Sequence, residues 1–443
     1  MEKSNLIYSG RLFYGWIILF ISIIILFFSM GMRNSVSVFF IPMVDEFDWN
    51  RATISIVFAA GWFINGITQP VIGGIYDKFG GRYVISFGLL IMGLSTALIG
   101  ITNNFWYFLL MYGFIMCTSA GASSVVTVQP LLARWWYKRR GAILSISSLG
   151  ISLGSMFLTP FSTYLIHIFN WRLTWVILGA CLLVVSFIAV LFIRNNPSDI
   201  GTSPYGMENI SNDKDDDLNL SIAKGPLEVS SWKDAFNHWP VWQLMLPYMI
   251  CGLTTSFMSV HFIPLASDRG FTVNQASVAF SILYGFTILG VLVSSLVVDK
   301  FGQKNFLTFV YFIRAFAYLI LLFGHAYLGL WAFVILAGLS WVVTAPLTIT
   351  LLADIYGLKT AGTLAGLATL AHQIGGSLNI ILAGFLFDRY GSYSLIFIIS
   401  LVLLVGAGIS TMKINEDKLS MRRLKYKQQN SGISKTLHGK TTM

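Results

Sequence analysis

Long apolar runs separated by short polar stretches dominate the hydropathy pattern of this chain. Most runs are about 20 residues long or longer, as a helix crossing a hydrocarbon core roughly 30 Å thick requires. The short alternating segments typical of membrane β-barrels are missing. The pattern predicts an all-α membrane protein with twelve transmembrane helices, spans 1 to 12, at residues 14–41, 52–76, 83–102, 105–131, 142–168, 172–193, 240–265, 273–297, 305–324, 327–352, 361–386 and 393–412.

The pattern also repeats within the chain. SVSVFFIP at 35–42 returns as FMSVHFIP at 257–264, and DKFG at 77–80 returns unchanged at 299–302. Both pairs are offset by 222 residues. Because two separate matches share one register, the sequence predicts a duplication into two parallel six-helix repeats.

The repeat sets the predicted domain boundaries. The N-terminal half spans residues 1–194 and the C-terminal half residues 239–412. The polar segment 195–238, which contains NDKDDD, cannot bury a core and is predicted to be a flexible cytoplasmic linker with a short amphipathic stretch near Trp232–Phe236. Residues 413–443 are predicted to be a basic cytoplasmic tail whose charges fix topology and contact anionic lipid.

Composition supports the membrane prediction and excludes several functions. Hydrophobic residues make up 56% of the chain and charged residues 11%, against about 25% charged residues in soluble proteins. The chain has no GxxxxGK[ST], CxxC or HExxH motif and no carboxylate pair inside a span. We therefore expect neither an enzyme nor an ATP-driven pump, and we expect no cofactor and no metal.

The distribution of basic residues predicts the orientation. Of 29 Lys and Arg residues, 23 lie in the N-terminal tail, the even-numbered loops and the C-terminal tail. Cytoplasmic loops retain Lys and Arg, so both termini are predicted to be cytoplasmic, in a multi-pass plasma-membrane protein. This asymmetry explains the positive charge without nucleic acid. No cleavable signal peptide is expected, and one chain with both halves is expected to work as a monomer.

The loop GGIYDKFGGR at 73–82 resembles the signature loop of the major facilitator superfamily. The resemblance implies a transporter fold and a cytoplasmic latch that favours the outward-facing state. The carboxylate of Asp77 would face the positive N-terminus of a helix in the other half; the alternative is a basic turn that only sets topology. The predicted latch residues are Gly73, Asp77, Lys78, Gly80, Arg82 and, in the second copy, Asp299.

Within that superfamily the N-terminal third looks like the monocarboxylate porters and the oxalate:formate antiporters. The resemblance is carried by YGW at 14–16, GMRNSVSVFF at 31–40, FDWNRATIS at 47–55 and RWWYKRRGAI at 134–143. Two features of those families are absent: span 8 lacks the arginine, and span 11 lacks the lysine that the antiporters use and contains only His372.

Arg33 is the one charge between Leu12 and Val44, and it lies inside predicted span 1. At helical spacing Ser29, Arg33 and Ser37 share one face. Charges inside a membrane usually face protein or water and mark a pathway. Arg33, together with the neighbouring Asn34, is predicted to bind an anion. The alternative is a structural role or a side chain that reaches the headgroups.

Four further polar residues inside spans are candidates for the site. Arg314 in span 9 is either a second substrate cation or a structural donor to a neighbouring helix. His261, His372 and Gln373 are predicted to contact substrate, and either histidine could carry a proton near neutral pH. The alternative for each is a satisfied packing residue.

These features predict a secondary active transporter that moves a small organic anion by alternating access. The favoured substrate is a monocarboxylate carried with protons. The alternatives are an oxalate/formate-type carboxylate antiporter or a multidrug or other-solute exporter of the same fold. A non-transporting sensor is disfavoured, because the linker and tail are too short and polar to form a signalling domain.

Overall fold

The computed structural model describes residues 7–8, 11–137, 139–206 and 225–420. The NDKDDD segment of the linker and residues 421–443 of the basic tail lie outside this part. Within it, twelve helices are long and apolar enough to cross a membrane: Gly15–Phe47, Arg51–Phe79, Gly81–Ile99, Phe105–Trp135, Ala142–Ile168, Trp171–Phe192, Trp239–Asp268, Val273–Val298, Gln303–Phe323, Ala326–Tyr356, Thr360–Tyr390 and Ser394–Met412. Each overlaps one predicted span, so the predicted all-α membrane fold is confirmed.

The remaining regular elements of the described residues are short. Two-residue strands pair antiparallel before span 1, and one-turn helices flank the halves, one of them in the predicted amphipathic stretch of the linker. These elements are strands Ile7–Tyr8 and Arg11–Leu12 and helices Pro197–Ile200, Trp232–Ala235 and Glu416–Leu419.

The two halves pack their helices in the same way. Span 1 packs against span 5, and span 7 against span 11. A Cβ added to Gly154 would overlap the Phe27 carbonyl oxygen, and one added to Gly375 would overlap the Met249 carbonyl oxygen. Phe27 and Met249 are 222 residues apart. Equivalent helices therefore cross at equivalent points, where glycine allows the backbones to touch.

In both copies of the loop a distant side chain caps the start of the following helix, but the capping residue differs. The backbone N–H of Arg82 donates to Asn195 Oδ1 (2.8 Å), and that of Lys304, 222 residues later, donates to Glu416 Oε2 (3.0 Å). Both bonds satisfy free N–H groups at the start of a helix. The end of each half is thereby tied to the start of its third span.

The halves meet along spans 2 and 11 and along spans 5 and 8. Spans 2 and 11 run antiparallel. We call the side where span 2 begins the Arg51 side and the side where it ends the Asp77 side.

Spans 2 and 11 are in contact on the Arg51 side and diverge towards the Asp77 side. A Cβ on Gly384 would lie 2.6 Å from Ser55 Oγ, and near the middle a Cβ on Gly66 would lie 2.8 Å from Gln373 Cβ. Two turns farther along these facing surfaces the contacts end. No atom outside the local helix backbone lies within 4 Å of an added Cβ at Gly73, Gly74, Gly362 or Gly366 in the described part of the chain.

Candidate functional site

Arg33 lies in the middle part of span 1 and is 6% exposed. Its guanidinium carbon lies 4.2 Å from the centre of the Trp62 ring. Nε and Nη2 are buried and have no hydrogen-bond partner among the described residues. A cation–π contact offsets only part of the cost of burying a charge. The guanidinium is therefore suited to bind an anion.

The surroundings of Arg33 follow from a change of helix type. The α-helix ends at Asn34 and continues as a 3-10 turn, Ser35–Phe39, before resuming at Phe40. Asn34 Nδ2 donates to Ser155 Oγ of span 5 (3.0 Å), so the amide predicted to contact substrate holds span 5. The burial of Arg33 argues against a side chain that reaches the headgroups.

The two serines on the Arg33 face have different roles. Ser29 Oγ donates to the carbonyl oxygen of Ser123 (2.8 Å), where span 4 is interrupted before a new helix starts at Val125. Ser37 Oγ is buried and has no partner among the described residues. Ser29 is thus structural, whereas the hydroxyl of Ser37, in the 3-10 turn that follows Arg33, has no partner among the described residues.

Arg314 is fully buried, and its donors are engaged. Nε donates to Ser340 Oγ (3.2 Å), and Nη2 donates to the carbonyls of Ser340 and Trp341, the latter at 3.0 Å. Nη1 contacts Cys251 Sγ (3.1 Å). The helix Ala326–Ser340 ends there, and the next one begins at Thr344, so these carbonyls lack helical partners. A cation is favourable at such a helix end.

The N-terminal half holds the matching interruption of span 4 without a charge. The repeat equivalents of Arg314 and Cys251 are Met92 and Ser29. Ser123 Oγ contacts the Met92 sulfur (3.8 Å), and Ser29 donates to the Ser123 carbonyl. In both halves the residues at these two positions contact the interruption of the neighbouring span, which favours the structural alternative for Arg314 over a second substrate cation.

His261 lies on the Arg51 side and is fully buried between the halves. Nε2 donates to the Ile380 carbonyl (3.2 Å) and lies 3.3 Å from Ser55 Oγ. Nδ1 lies 3.0 Å from the Tyr393 hydroxyl. Since a carbonyl can only accept, Nε2 carries the proton and Nδ1 accepts from the phenol. The ring is therefore fixed in a contact that spans the interface.

His372 and Gln373 lie near the middle of span 11. His372 is partly exposed; its Nε2 is 3.5 Å from Thr255 Oγ1, and its ring centre is 4.8 Å from that of Tyr248. Thr255 is the repeat equivalent of Arg33. Gln373 Nε2 donates across the interface to Asn65 Oδ1 (3.0 Å). His372 thus lies beside the equivalent of the Arg33 position, and Gln373 links the halves.

The predicted latch loop lies on the side where the halves separate. Asp77 and Lys78 are exposed, and Asp77 forms no hydrogen bond or ion pair with the described residues. Gly80 ends the helix of span 2 with a φ of 78°, which only glycine adopts readily.

The other latch residues belong to the local scaffold. Arg82 Nε donates to the Val190 carbonyl (3.0 Å), and Gly73 faces open space. The side chain of Asp299 lies outside the part of the chain that the structure describes. The loop therefore shows its latch residues disengaged from the opposite half.

Sequence reasoning missed a cluster that closes the Arg51 side. Arg51 forms a bidentate ion pair with Asp268 of the other half (2.6 and 2.8 Å), and its Nη1 donates to the Tyr393 hydroxyl (2.9 Å). Its guanidinium carbon lies 3.6 Å from the centre of the Phe387 ring. Burial raises the pKa of Tyr393, which keeps the phenol protonated as the donor to His261. The sequence signal for this cluster was Arg51 itself, the basic residue of the FDWNRATIS motif.

Among the described residues, twelve membrane-crossing helices form two alike halves that contact each other on the Arg51 side and near the middle of spans 2 and 11, an arrangement typical of polytopic transporters. Residues 19–380 match the Major Facilitator Superfamily, and the chain belongs to that family.

Its relatives include transporters from bacteria and animals. The chain is 25% identical to the MFS-type transporter YcxA of Bacillus subtilis, described as uncharacterized, over 87% of this chain and 92% of the relative. It is 22% identical to human monocarboxylate transporter 2 over 96% of this chain and 92% of the relative. The resemblance to monocarboxylate porters is thus confirmed at the level of relatives.

Solved structures show the same fold. A bacterial homologue of the human lysosomal transporter Spinster, in an inward-facing and occupied conformation, superposes with a TM-score of 0.67 at 17% identity and covers 91% of this chain and 97% of its own. A mutant of the nucleoside transporter NupG superposes with a TM-score of 0.69 at 12% identity and covers 89% of this chain and 99% of its own. The protein is a transporter and not an enzyme.

Proposed function

We propose that this transporter carries a small organic anion, most directly a monocarboxylate, together with protons. The observation that carries the proposal is the buried guanidinium of Arg33, with two donors unpartnered among the described residues and a stacked Trp62. A planar guanidinium fork matches the two oxygens of a carboxylate. The carboxylate would bind the free donors, and Ser37 would offer its hydroxyl.

The number of free cations favours a monovalent substrate. Arg33 and Arg314 lie in the interior of predicted spans, whereas Arg172 is the first residue of span 6 and pairs with Glu46. Arg314 is occupied by the carbonyls of span 10 and by Cys251. A dicarboxylate would leave its second charge uncompensated in this site, which is costly in a low-dielectric interior. We therefore place dicarboxylate exchange second.

The two histidines separate into different roles. His261 is fixed in the closed interface with both nitrogens in contact, whereas His372 is partly exposed beside Thr255. A histidine that exchanges protons needs access to water. We assign proton linkage to His372 and the closing of the Arg51 side to His261.

The orientation follows from charge. The Asp77 side carries the excess of Lys and Arg and is cytoplasmic by the positive-inside rule. With contacts on the Arg51 side and open space on the Asp77 side, the chain is inward-facing in the plasma membrane.

Uptake into proteoliposomes tests the proposal. We expect labelled monocarboxylates to enter faster with an inward proton gradient, and we expect Arg33→Gln to lose this uptake while Arg33→Lys keeps part of it. Thr255→Ser, at the repeat-equivalent position, is the matched control and should transport normally. Equal uptake by Arg33→Gln would refute the site, and failure of the parent protein to carry any carboxylate would refute the substrate class.

A further inference from the structure

A third copy of the latch tetrapeptide lies at the opposite end of the molecule. DKFG occurs at 77–80 and 299–302, and DRYG, with the same order of acid, base, aromatic and glycine, occurs at 388–391. In all three the glycine ends the helix with a positive φ, 78°, 91° and 66° respectively. The third copy ends span 11 on the Arg51 side, outside the register of the duplication.

In this third copy the aspartate is engaged across the interface. The carboxylate of Asp388 accepts from the backbone N–H groups of Arg51 (3.1 Å) and Ala52 (2.7 Å), the first two residues of the span 2 helix. The next N–H group, that of Thr53, donates to Asn50 Oδ1 (2.8 Å). A carboxylate from one half thus caps a helix of the other half, where the helix dipole is positive.

The register between spans 2 and 11 relates this cap to Asp77. Ser55 lies against Gly384 and Gly66 against Gln373, so residue numbers fall along span 11 as they rise along span 2. Continued past Gly73, this register brings Asp77 to the first turns of the helix Leu358–Tyr390. The two aspartates are therefore placed alike, each at the C-terminus of one helix and facing the N-terminus of the other.

We propose that Asp388 is the reciprocal partner of Asp77 and that the two form a two-ended latch. Asp388 caps span 2 when the Arg51 side is closed, and Asp77 caps span 11 when the Asp77 side is closed. The divergence of the helices prevents both caps from forming together. The balance between the two caps then sets the ratio of inward-facing to outward-facing protein, whichever substrate is carried.

Spin-label distances measure this ratio without a substrate. Asn103 and His325 are exposed, lie in opposite halves on the Arg51 side, and are repeat equivalents 222 residues apart. Both are replaced by cysteine for labelling, after Cys117, Cys181 and Cys251 are replaced by serine. A longer distance between the labels reports opening of the Arg51 side.

We expect Asp388→Ala to raise the population with the longer distance about fivefold to tenfold relative to the shorter one, as the loss of a charged helix cap implies. We expect Asp77→Ala to lower the population with the longer distance. The double variant should return towards the ratio of the two populations in the parent protein. Asp45→Ala removes an exposed carboxylate on the same side and serves as the matched control, with no shift.

The proposal requires the distance distributions of Asp388→Ala and Asp77→Ala to shift in opposite directions, because a general loss of packing would shift both in the same direction. An unchanged distribution for Asp388→Ala, or a shift in the same direction for both variants, would overturn the proposal. If Asp388→Ala does not fold, Asp388→Asn carries the test, since it keeps the hydrogen-bond acceptor and loses only the charge; a smaller shift of the same sign is then expected. Loss of carboxylate uptake in the parent protein would leave this result unaffected.

Discussion

Two arginines lie buried inside the spans, and their surroundings differ in kind. Arg314 donates to the carbonyls of Ser340 and Trp341, whereas Nε and Nη2 of Arg33 have no partner among the described residues. The guanidinium of Arg314 stabilises the fold, whereas burial of the Arg33 guanidinium lowers the stability of the fold. Removing the two charges should therefore change stability in opposite directions.

For Arg33 we expect Arg33→Met to raise Tm while abolishing anion uptake. Methionine fills a similar volume and removes an unpaired buried charge, a gain of about 1–3 kcal/mol. Thermal unfolding of the purified protein in detergent measures the shift. A lower Tm would show that Arg33 is paired within the protein.

For Arg314 we expect Arg314→Met to lower Tm, because two buried carbonyls lose their donors at about 1–3 kcal/mol each. Binding of the proposed carboxylate substrate by the folded fraction should keep its Kd, since no contact joins Arg314 to the Arg33 site among the described residues. A much weaker Kd with an unchanged Tm would instead assign Arg314 to the substrate.

At the scale of the helix, the crossings of spans 1 and 5 and of spans 7 and 11 depend on single glycines. The space at Gly154 and Gly375 is filled by backbone of the facing helix, which cannot move as a side chain can. The interruptions of spans 4 and 10 are likewise contacted by side chains of neighbouring helices, Ser29 and Met92 at span 4 and Arg314 and Cys251 at span 10.

We expect Gly154→Ala to destabilise the protein by about 1–3 kcal/mol, because its methyl group would overlap the Phe27 carbonyl and force spans 1 and 5 apart. Gly406→Ala in span 12 is the control. No non-local atom of the described chain lies within 4 Å of that position, and alanine there favours the helix by about 0.5–1 kcal/mol. Equal Tm values for the two variants would contradict this crossing.

The helices were predictable from sequence because each property that defines them is local. Apolar length predicts all twelve spans, and the 222-residue offset predicts which helices of the two halves correspond. Partners distant along the chain were not predictable. Arg51 meets Asp268 and Asp388, 217 and 337 residues away, and only the tertiary fold brings them together. Likewise, the carbonyl groups to which Arg314 donates lack helical partners only because the helix of span 10 is interrupted there, which is a property of the fold.

For the whole molecule, the contacts between spans 2 and 11 define one closed side and one open side. On the closed side the ion pair of Arg51 and Asp268, the cap by Asp388 and the His261–Tyr393 contact are concentrated within a few turns. The other side lacks equivalent contacts among the described residues of these two spans. The proposed alternating access requires this cluster to separate.

A cross-link should therefore stop transport in one state. We expect cysteines at Ser55 and Gly384 to form a disulfide, since a Cβ on Gly384 would lie 2.6 Å from Ser55 Oγ. Because that Cβ would also lie 2.7 Å from the Arg51 carbonyl oxygen, spans 2 and 11 must shift slightly to admit it. Uptake should fall on oxidation and return on reduction. Cysteines at Gly73 and Gly366 are the matched pair and should cross-link only when the Asp77 side closes. Transport that continues through the first disulfide would contradict rocking at this interface.

The buried guanidinium of Arg33 has an electrical consequence. A fixed positive charge near the middle of the membrane experiences the membrane potential, at about 2.3 kcal/mol per elementary charge for each 100 mV crossed. When the open side of the protein changes, the membrane voltage falls on the other side of Arg33. The charge of Arg33 has then in effect crossed part of the voltage, so the unloaded protein reorients as a cation. A carboxylate bound without a proton cancels that charge, and a carboxylate bound with a proton restores it. Membrane voltage would then distinguish the empty protein from the anion-loaded protein even when the completed transport cycle moves no net charge.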